Sequence, residues 1–97
     1  MPYQVLCTFD LKHASSADYN AAYDDLKKLG LNKVQQGAKG AYVIPTTTVL
    51  GDFNGSSIES VRDYIRERVK SAFKARGFTA EIFVVVGRDG TWGAATT

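Results

Sequence analysis

The fold follows from one stretch near the start of the chain, Tyr3-Gln4-Val5-Leu6-Cys7-Thr8-Phe9-Asp10-Leu11. Its odd positions form an apolar row, whereas its even positions mix Leu6 with Gln4, Thr8 and Asp10. This period of two predicts a strand with one buried face and one less apolar face. Asp10 places a carboxylate at the end of the less apolar face, just before a polar loop. We therefore take Asp10 as the residue whose position most suggests chemistry.

Two amphipathic helices are predicted downstream of this strand. The first runs from about residue 18 to residue 29, with Ser15 or Ser16 as its N-cap and Gly30 as the left-handed residue after its end. The second follows a capping box formed by Ser56 and Glu59, and it is closed by Gly77. Its apolar stripe consists of Ile58, Val61, Ile65, Val69, Ala72 and Phe73.

Three further strands complete the predicted fold. Residues 31–36 predict a weak edge strand, and residues 41–50 predict a strand interrupted at Pro45, which cannot donate a ladder hydrogen bond. Residues 79–86 are apolar on both faces and predict a strand covered on both. A turn at 37–40, a loop at 51–55 and a flexible tail at 87–97 connect and end these elements.

The order β-α-β-β-α-β is typical of the ferredoxin-like fold. We therefore predict one α+β domain spanning residues 1–97: a sandwich with a four-stranded antiparallel sheet and two helices on one face. The first and third strands would be central. The uncovered sheet face would carry Leu6, Phe83 and Val85, an apolar patch that favours homodimerisation.

Composition excludes several classes of protein. A chain of 97 residues with a net charge of +2 fits one globular domain, and its mild charge permits a nucleic-acid partner without requiring one. The single Cys7 excludes an internal disulfide and a cysteine-based metal cluster. No signal-peptide pattern begins the sequence, and no apolar run approaches the roughly 20 residues that span a bilayer. The expectation is a cytoplasmic protein without a membrane partner.

Asp10 has two interpretations from the residues alone. It can simply end the strand by hydrogen bonding to the following loop. Alternatively, it can meet its own copy across a two-fold axis of a homodimer and bind a divalent cation there. His13 stands in a polar loop without a partner in sequence and is expected to be solvated. Residues 46–48, three threonines, can contact phosphates, but strand propensity explains three β-branched residues without such a role.

Basic residues supply candidates for nucleic-acid contact. The second predicted helix has a net charge of +3, and its Arg62 and Arg66 can face phosphates. However, Glu59, Asp63 and Glu67 stand three residues before Arg62, Arg66 and Lys70, so these charges can also pair with each other. Lys12, beside Asp10, is the third candidate. Trp92 in the tail can stack on a base, but docking on the domain or on a partner subunit is the simpler expectation.

The start Val5-Leu6-Cys7-Thr8-Phe9-Asp10-Leu11 resembles the first strand of the second CRISPR-associated (Cas-two) family and its SinR-like and VapD-like relatives. The similarity continues through residues 18–30 and 33–35 and, more loosely, through 41–44 and 57–65. The last of these stretches also resembles the antitoxin endoribonuclease of the Gho toxin–antitoxin system, which has the same fold. The resemblance implies a homodimer in which Asp10 is the metal-binding carboxylate.

Two function hypotheses follow. In the first, the protein acts on nucleic acid in a CRISPR-associated or toxin–antitoxin system as a metal-dependent endoribonuclease. Paired Asp10 residues would then hold Mg²⁺ or Mn²⁺ and activate a water against an RNA phosphodiester, while Lys12, Arg62 or Arg66 hold the backbone of RNA or DNA. In the second, the chain is a non-catalytic dimeric module that binds a protein or nucleic-acid partner.

Overall fold

The structure is a computed structural model that describes residues 2–37 and 40–97. It contains two helices and five strands. In chain order, the elements are β1 (Tyr3–Leu11), α1 (Ser16–Leu29), β2 (Val34–Gly37), β3 (Gly40–Val43), β4 (Thr48–Phe53), α2 (Ile58–Ala75) and β5 (Ala80–Gly87). Neither helix is long and apolar enough to cross a membrane.

Strand β1 is the centre of the sheet, and its predicted alternation is confirmed. All five of its odd residues are buried, whereas Leu6 and Asp10 are exposed on the other face. Strand β1 pairs antiparallel with β4 on one side and with β5 on the other, which gives the order β4-β1-β5. The face that carries the even residues of β1 is called the open face below.

Both helices cover the same face of this sheet. Residues of α1 and α2 pack against the odd residues of β1 in one core cluster, which joins Ala22 and Leu26 to Val61, Ile65, Val69 and Phe73. Phe9 lies at the centre of an aromatic group, with its ring 5.2 Å from that of Phe73 and 5.6 Å from that of Tyr23. Burying these side chains supplies the main driving force for this arrangement.

Helix α1 begins at Ser16, two residues before the predicted start, but both of its ends carry predicted caps. Ser15 is the N-cap: its hydroxyl accepts from the Asp18 backbone N–H, and the Asp18 carboxylate accepts from the Ser15 backbone N–H. Gly30 has φ 98° and ends the helix in the left-handed conformation that glycine adopts without strain.

The N-terminus of α2 corrects one prediction. Its capping box is formed by Ser57 and Ser60, one residue later than the predicted pair Ser56 and Glu59. Ser60 can fill the N3 position because its hydroxyl accepts from the Ser57 backbone N–H, as a glutamate carboxylate would. At the other end Gly77, with φ 77°, follows the helix as expected.

The predicted four-stranded sheet is only partly formed. Residues 2–37 and 40–97 form a three-stranded sheet and a separate two-stranded hairpin, β2-β3. The hairpin is joined to the sheet by one bridge between Asn32 and Leu50, whose backbones exchange two hydrogen bonds of 3.0 Å. Residues 38 and 39, which belong to the predicted turn at 37–40, lie outside the described residues.

The predicted third strand is in fact two strands. Strand β3 ends at Val43, before Pro45, and β4 begins at Thr48. Pro45 lies between them because it cannot donate to a ladder. The predicted loop at 51–55 was also wrong in part, since residues 51–53 continue β4 opposite β1.

The last strand corrects a further prediction. Strand β5 is covered on one face only, and Phe83 and Val85 are 62% and 49% exposed on the open face. The tail after Gly87 forms no further strand. Instead, Trp92 docks on the hairpin with its ring 5.6 Å from that of Tyr42, at an interplanar angle of 72°.

Candidate functional site

Asp10 lies on the open face, one residue before the end of β1. Its carboxylate is exposed, and its register partner on β5 is Glu81, which is also exposed. Two carboxylates that stand opposite each other on one face of a sheet repel each other unless a cation lies between them. In this structure Lys12 supplies that positive charge: its Nζ is 2.8 Å from Asp10 Oδ2 and 3.7 Å from Glu81 Oε2.

These contacts fix the ionisation of the pair. The hydrogen bond and charge of Lys12 lower the pKa of Asp10, with a smaller contribution from the hydroxyl of Tyr19. The same contacts with Asp10, followed by the charge of Glu81, raise the pKa of Lys12. Asp10 is therefore a carboxylate at neutral pH and suits the role of a base or a metal ligand, not that of a general acid.

Tyr19 ties this corner of the sheet to α1. Its hydroxyl lies 3.4 Å from Asp10 Oδ1, accepts from the Leu11 backbone N–H at 3.2 Å and lies 3.2 Å from the Leu11 carbonyl oxygen. Its ring stacks on Phe9, with the centroids 6.3 Å apart. The first turn of α1 thereby positions the end of β1 and its carboxylate.

A shallow groove runs beside Asp10. It is lined by Thr8, Phe9, Asp10, Thr47, Glu81, Ile82 and Phe83. The hydroxyls of the groove are already used within the fold, because Thr47 Oγ1 donates to the Phe9 carbonyl and Thr8 Oγ1 donates to the Thr47 carbonyl. These threonines therefore serve to join β1 to the start of β4.

Arg62 and Arg66 are not brought to Asp10. They lie on α2, which packs on the face of the sheet opposite the open face. Both pair locally: Arg62 Nε is 2.9 Å from Asp63 Oδ1, and Arg66 lies 3.4 Å from both Asp63 and Glu67. Of the three predicted pairs at a spacing of three residues, Asp63–Arg66 is present among the described ion pairs.

His13 stands in the turn after β1 with φ 51°, exposed as predicted. Glu81 and Tyr19 were missed as neighbours of Asp10. The sequence placed both on regular elements, but only the register of β1 against β5 and the packing of α1 bring them to the carboxylate. The period of two in β5 does place Glu81 on the same face as Phe83 and Val85, and so on the face of Asp10.

The oxygen ligands present fit a hard divalent cation only in part. Asp10 and Glu81 are of the type that Mg²⁺ and Mn²⁺ prefer. Within residues 2–37 and 40–97, however, no three His, Cys, Asp or Glu side chains group closely enough to hold a metal ion. A cation at Asp10 would therefore need ligands from a second chain, from water or from substrate.

The open face beside Asp10 is apolar. Leu6, Phe83 and Val85 are 38%, 62% and 49% exposed and occupy neighbouring positions on β1 and β5. A patch of this kind next to charged side chains is typical of an interaction surface. Comparison with protein-family models, with curated proteins and with solved structures finds no match for this chain.

Proposed function

We propose that the chain acts on nucleic acid as a homodimer formed across the open face, with Asp10 at the dimer interface. The observation that carries this proposal is the position of Asp10, an ionised and exposed carboxylate beside the apolar patch of Leu6, Phe83 and Val85. The resemblance to CRISPR-associated and toxin–antitoxin endoribonucleases supports the same reaction class, cleavage of an RNA phosphodiester.

Asp10 and the three basic residues have different roles in such a reaction. Asp10 and its copy in the second chain would hold Mg²⁺ or Mn²⁺, and the ion would lower the pKa of a bound water. Lys12 is paired with Asp10. If a cation neutralised Asp10, the ammonium group of Lys12 would be free to bind a phosphate oxygen instead. Arg62 and Arg66 are better placed to hold a distant part of the nucleic acid, because they lie on the helical side of the molecule.

The architecture is proposed to be a variant of the ferredoxin-like fold. Support comes from the central position of β1, from two helices on one face and from the bridge that places Asn32 beside Leu50 on β4. In this interpretation, the hairpin β2-β3 replaces the fourth strand of the sheet.

A second function is favoured by the apolar patch alone. A non-catalytic module that binds a protein or nucleic acid would use the same exposed residues of β1 and β5 without any need for Asp10. In that case Lys12 serves only to neutralise the carboxylates of Asp10 and Glu81.

Cleavage assays separate the two functions. Short RNAs are incubated with Mg²⁺ or Mn²⁺ and with the wild type, Asp10→Asn or Asp52→Asn. Asp52 is the matched control, since it is an exposed carboxylate at the other end of the open face, opposite Gln4. The endoribonuclease proposal expects Asp10→Asn to lose about 100-fold or more in rate and Asp52→Asn to retain it. Absent cleavage, or equal cleavage by the two variants, favours the binding module.

A further inference from the structure

The outer edge of β5 carries a second interaction surface, distinct from the open face. Strand β5 has eight residues and pairs only with β1 among the described strands. Proline and lysine commonly protect edge strands from pairing with other chains. Strand β5 contains neither, and its only charged residue is Glu81. Natural sheets seldom leave so long an apolar edge without a partner.

The hydrogen-bond pattern identifies which groups are free on this edge. The backbone N–H of Lys12 donates to the Thr79 carbonyl at 2.9 Å, so these two residues form a hydrogen-bonded pair. Asp10 and Glu81 are the next pair of the same kind, two residues away on each strand. Because bonded and non-bonded pairs alternate in an antiparallel ladder, the odd residues of β5 bond to β1. The backbone N–H and C=O groups that point outward are those of Ala80, Ile82, Val84 and Val86.

The opposite side of β1 agrees with this assignment. Phe9 donates to the Thr47 carbonyl at 3.1 Å, so the odd residues of β1 bond toward β4 and its even residues bond toward β5. The even residues of β5 therefore have no ladder partner within the described chain.

We propose that two copies of this chain pair antiparallel through the outer edges of β5, about a two-fold axis at Phe83, to form one continuous six-stranded sheet. In this register Ala80 pairs with Val86 of the other copy and Ile82 pairs with Val84, so all four outward residues find partners. The same four residues serve both copies, as a two-fold interface requires.

Side chains favour a second copy as the occupant of this edge. Phe83, 62% exposed in the single chain, stands directly opposite its own copy and packs beside it along the open face. Glu81 stands opposite Val85, so the paired β5 strands place no like charges opposite each other. This edge contact is independent of the proposed RNA cleavage. Asp10 lies on β1, one strand inward from the edge, so the contact does not bring the two Asp10 residues together.

Proline at position 84 tests the contact. Val84→Pro removes an outward N–H and no bond to β1, and an edge strand accepts proline at such a position. Val84→Ala is the matched control, because it trims the same side chain and keeps the N–H. Losing two hydrogen bonds per contact should weaken association about tenfold or more. At protein concentrations between the dissociation constants of the two variants, we therefore expect the mass in solution of Val84→Pro to fall toward half that of Val84→Ala.

A disulfide tests the register. Phe83→Cys should form a disulfide between copies under mild oxidation, and adding Val84→Pro should abolish it. Cys7 does not compete, since it is fully buried. Equal masses for the two Val84 variants throughout a dilution series, with folding of both confirmed by circular dichroism, would overturn the proposal. So would disulfide formation that persists in the double variant, because the cysteines would then meet through another surface.

Discussion

Gly51 is the position where one added methyl group should do most damage. It lies in β4 opposite Val5, and a Cβ built on it would overlap the carbonyl oxygen of Gly30, at the end of α1. It would also lie 3.0 Å from Phe53 Cε2 and 3.2 Å from the Gly30 carbonyl carbon. The constraint is space, since the backbone of Gly51 is not in the left-handed region.

The cost of Gly51→Ala follows from what would have to move. A flexible side chain could turn away, but the carbonyl of Gly30 is fixed by the helix end, where φ is 98° and the Gly30 N–H is bonded to Lys27 O at 3.0 Å. Strand β4 is fixed in turn by its ladder with β1. Overpacking of this kind costs about 1–3 kcal/mol, and the rigid neighbour points to the upper end. For a domain of this size that corresponds to a fall in Tm of roughly 10–20 °C.

Thermal unfolding followed by circular dichroism measures this change. Gly87→Ala is the matched control, because Gly87 also lies in a strand beside β1 and a Cβ there meets nothing within 4 Å. We expect the Tm of Gly87→Ala to stay within about 3 °C of the wild type. An equally small change for Gly51→Ala would refute the close approach of β4 to the end of α1.

Two further predictions concern titratable groups. Arg76 holds Asp25 with contacts of 2.6 and 3.0 Å and lowers the pKa of that carboxyl. The pair therefore stabilises the fold above the unfolded-state pKa of Asp25, and this contribution is lost as the pH falls through the folded-state pKa. Asp25→Asn should flatten the acid limb of a curve of unfolding free energy against pH, below about pH 4. An unchanged acid limb would contradict the ion pair. Burial raises the pKa of the Cys7 thiol to about 11, so a thiol reagent at pH 8 should label it slowly in the native protein and rapidly in urea; rapid native labelling would contradict its burial.

The elements that sequence reasoning predicted well are those with strong local signals. The alternation of Tyr3–Leu11 and the apolar stripe of α2 each reflect one buried face, and the burial of these residues confirms both. Gly30 was recognisable because glycine after a helical pattern favours a left-handed end. Each of these signals depends only on residues within a few positions of one another.

The features that were missed depend on pairing between distant parts of the chain. The sequence of residues 41–53 reads as one broken strand and a loop, but the ladder with β1 makes residues 48–53 the strand that borders it. Similarly, Glu81 became a neighbour of Asp10 only through the register of β5. A period-two pattern shows which face a residue occupies but not which residue stands opposite it.

The central position of β1 has a consequence for synthesis of the chain. Strand β1 is synthesised before both of its partners, since β4 begins at residue 48 and β5 at residue 80. Both ladders must therefore close long loops, which makes their formation slow compared with that of α1 and α2. Until residues 80–87 have been made, β1 lacks one of its two partner strands, and its unpaired edge is open to aggregation.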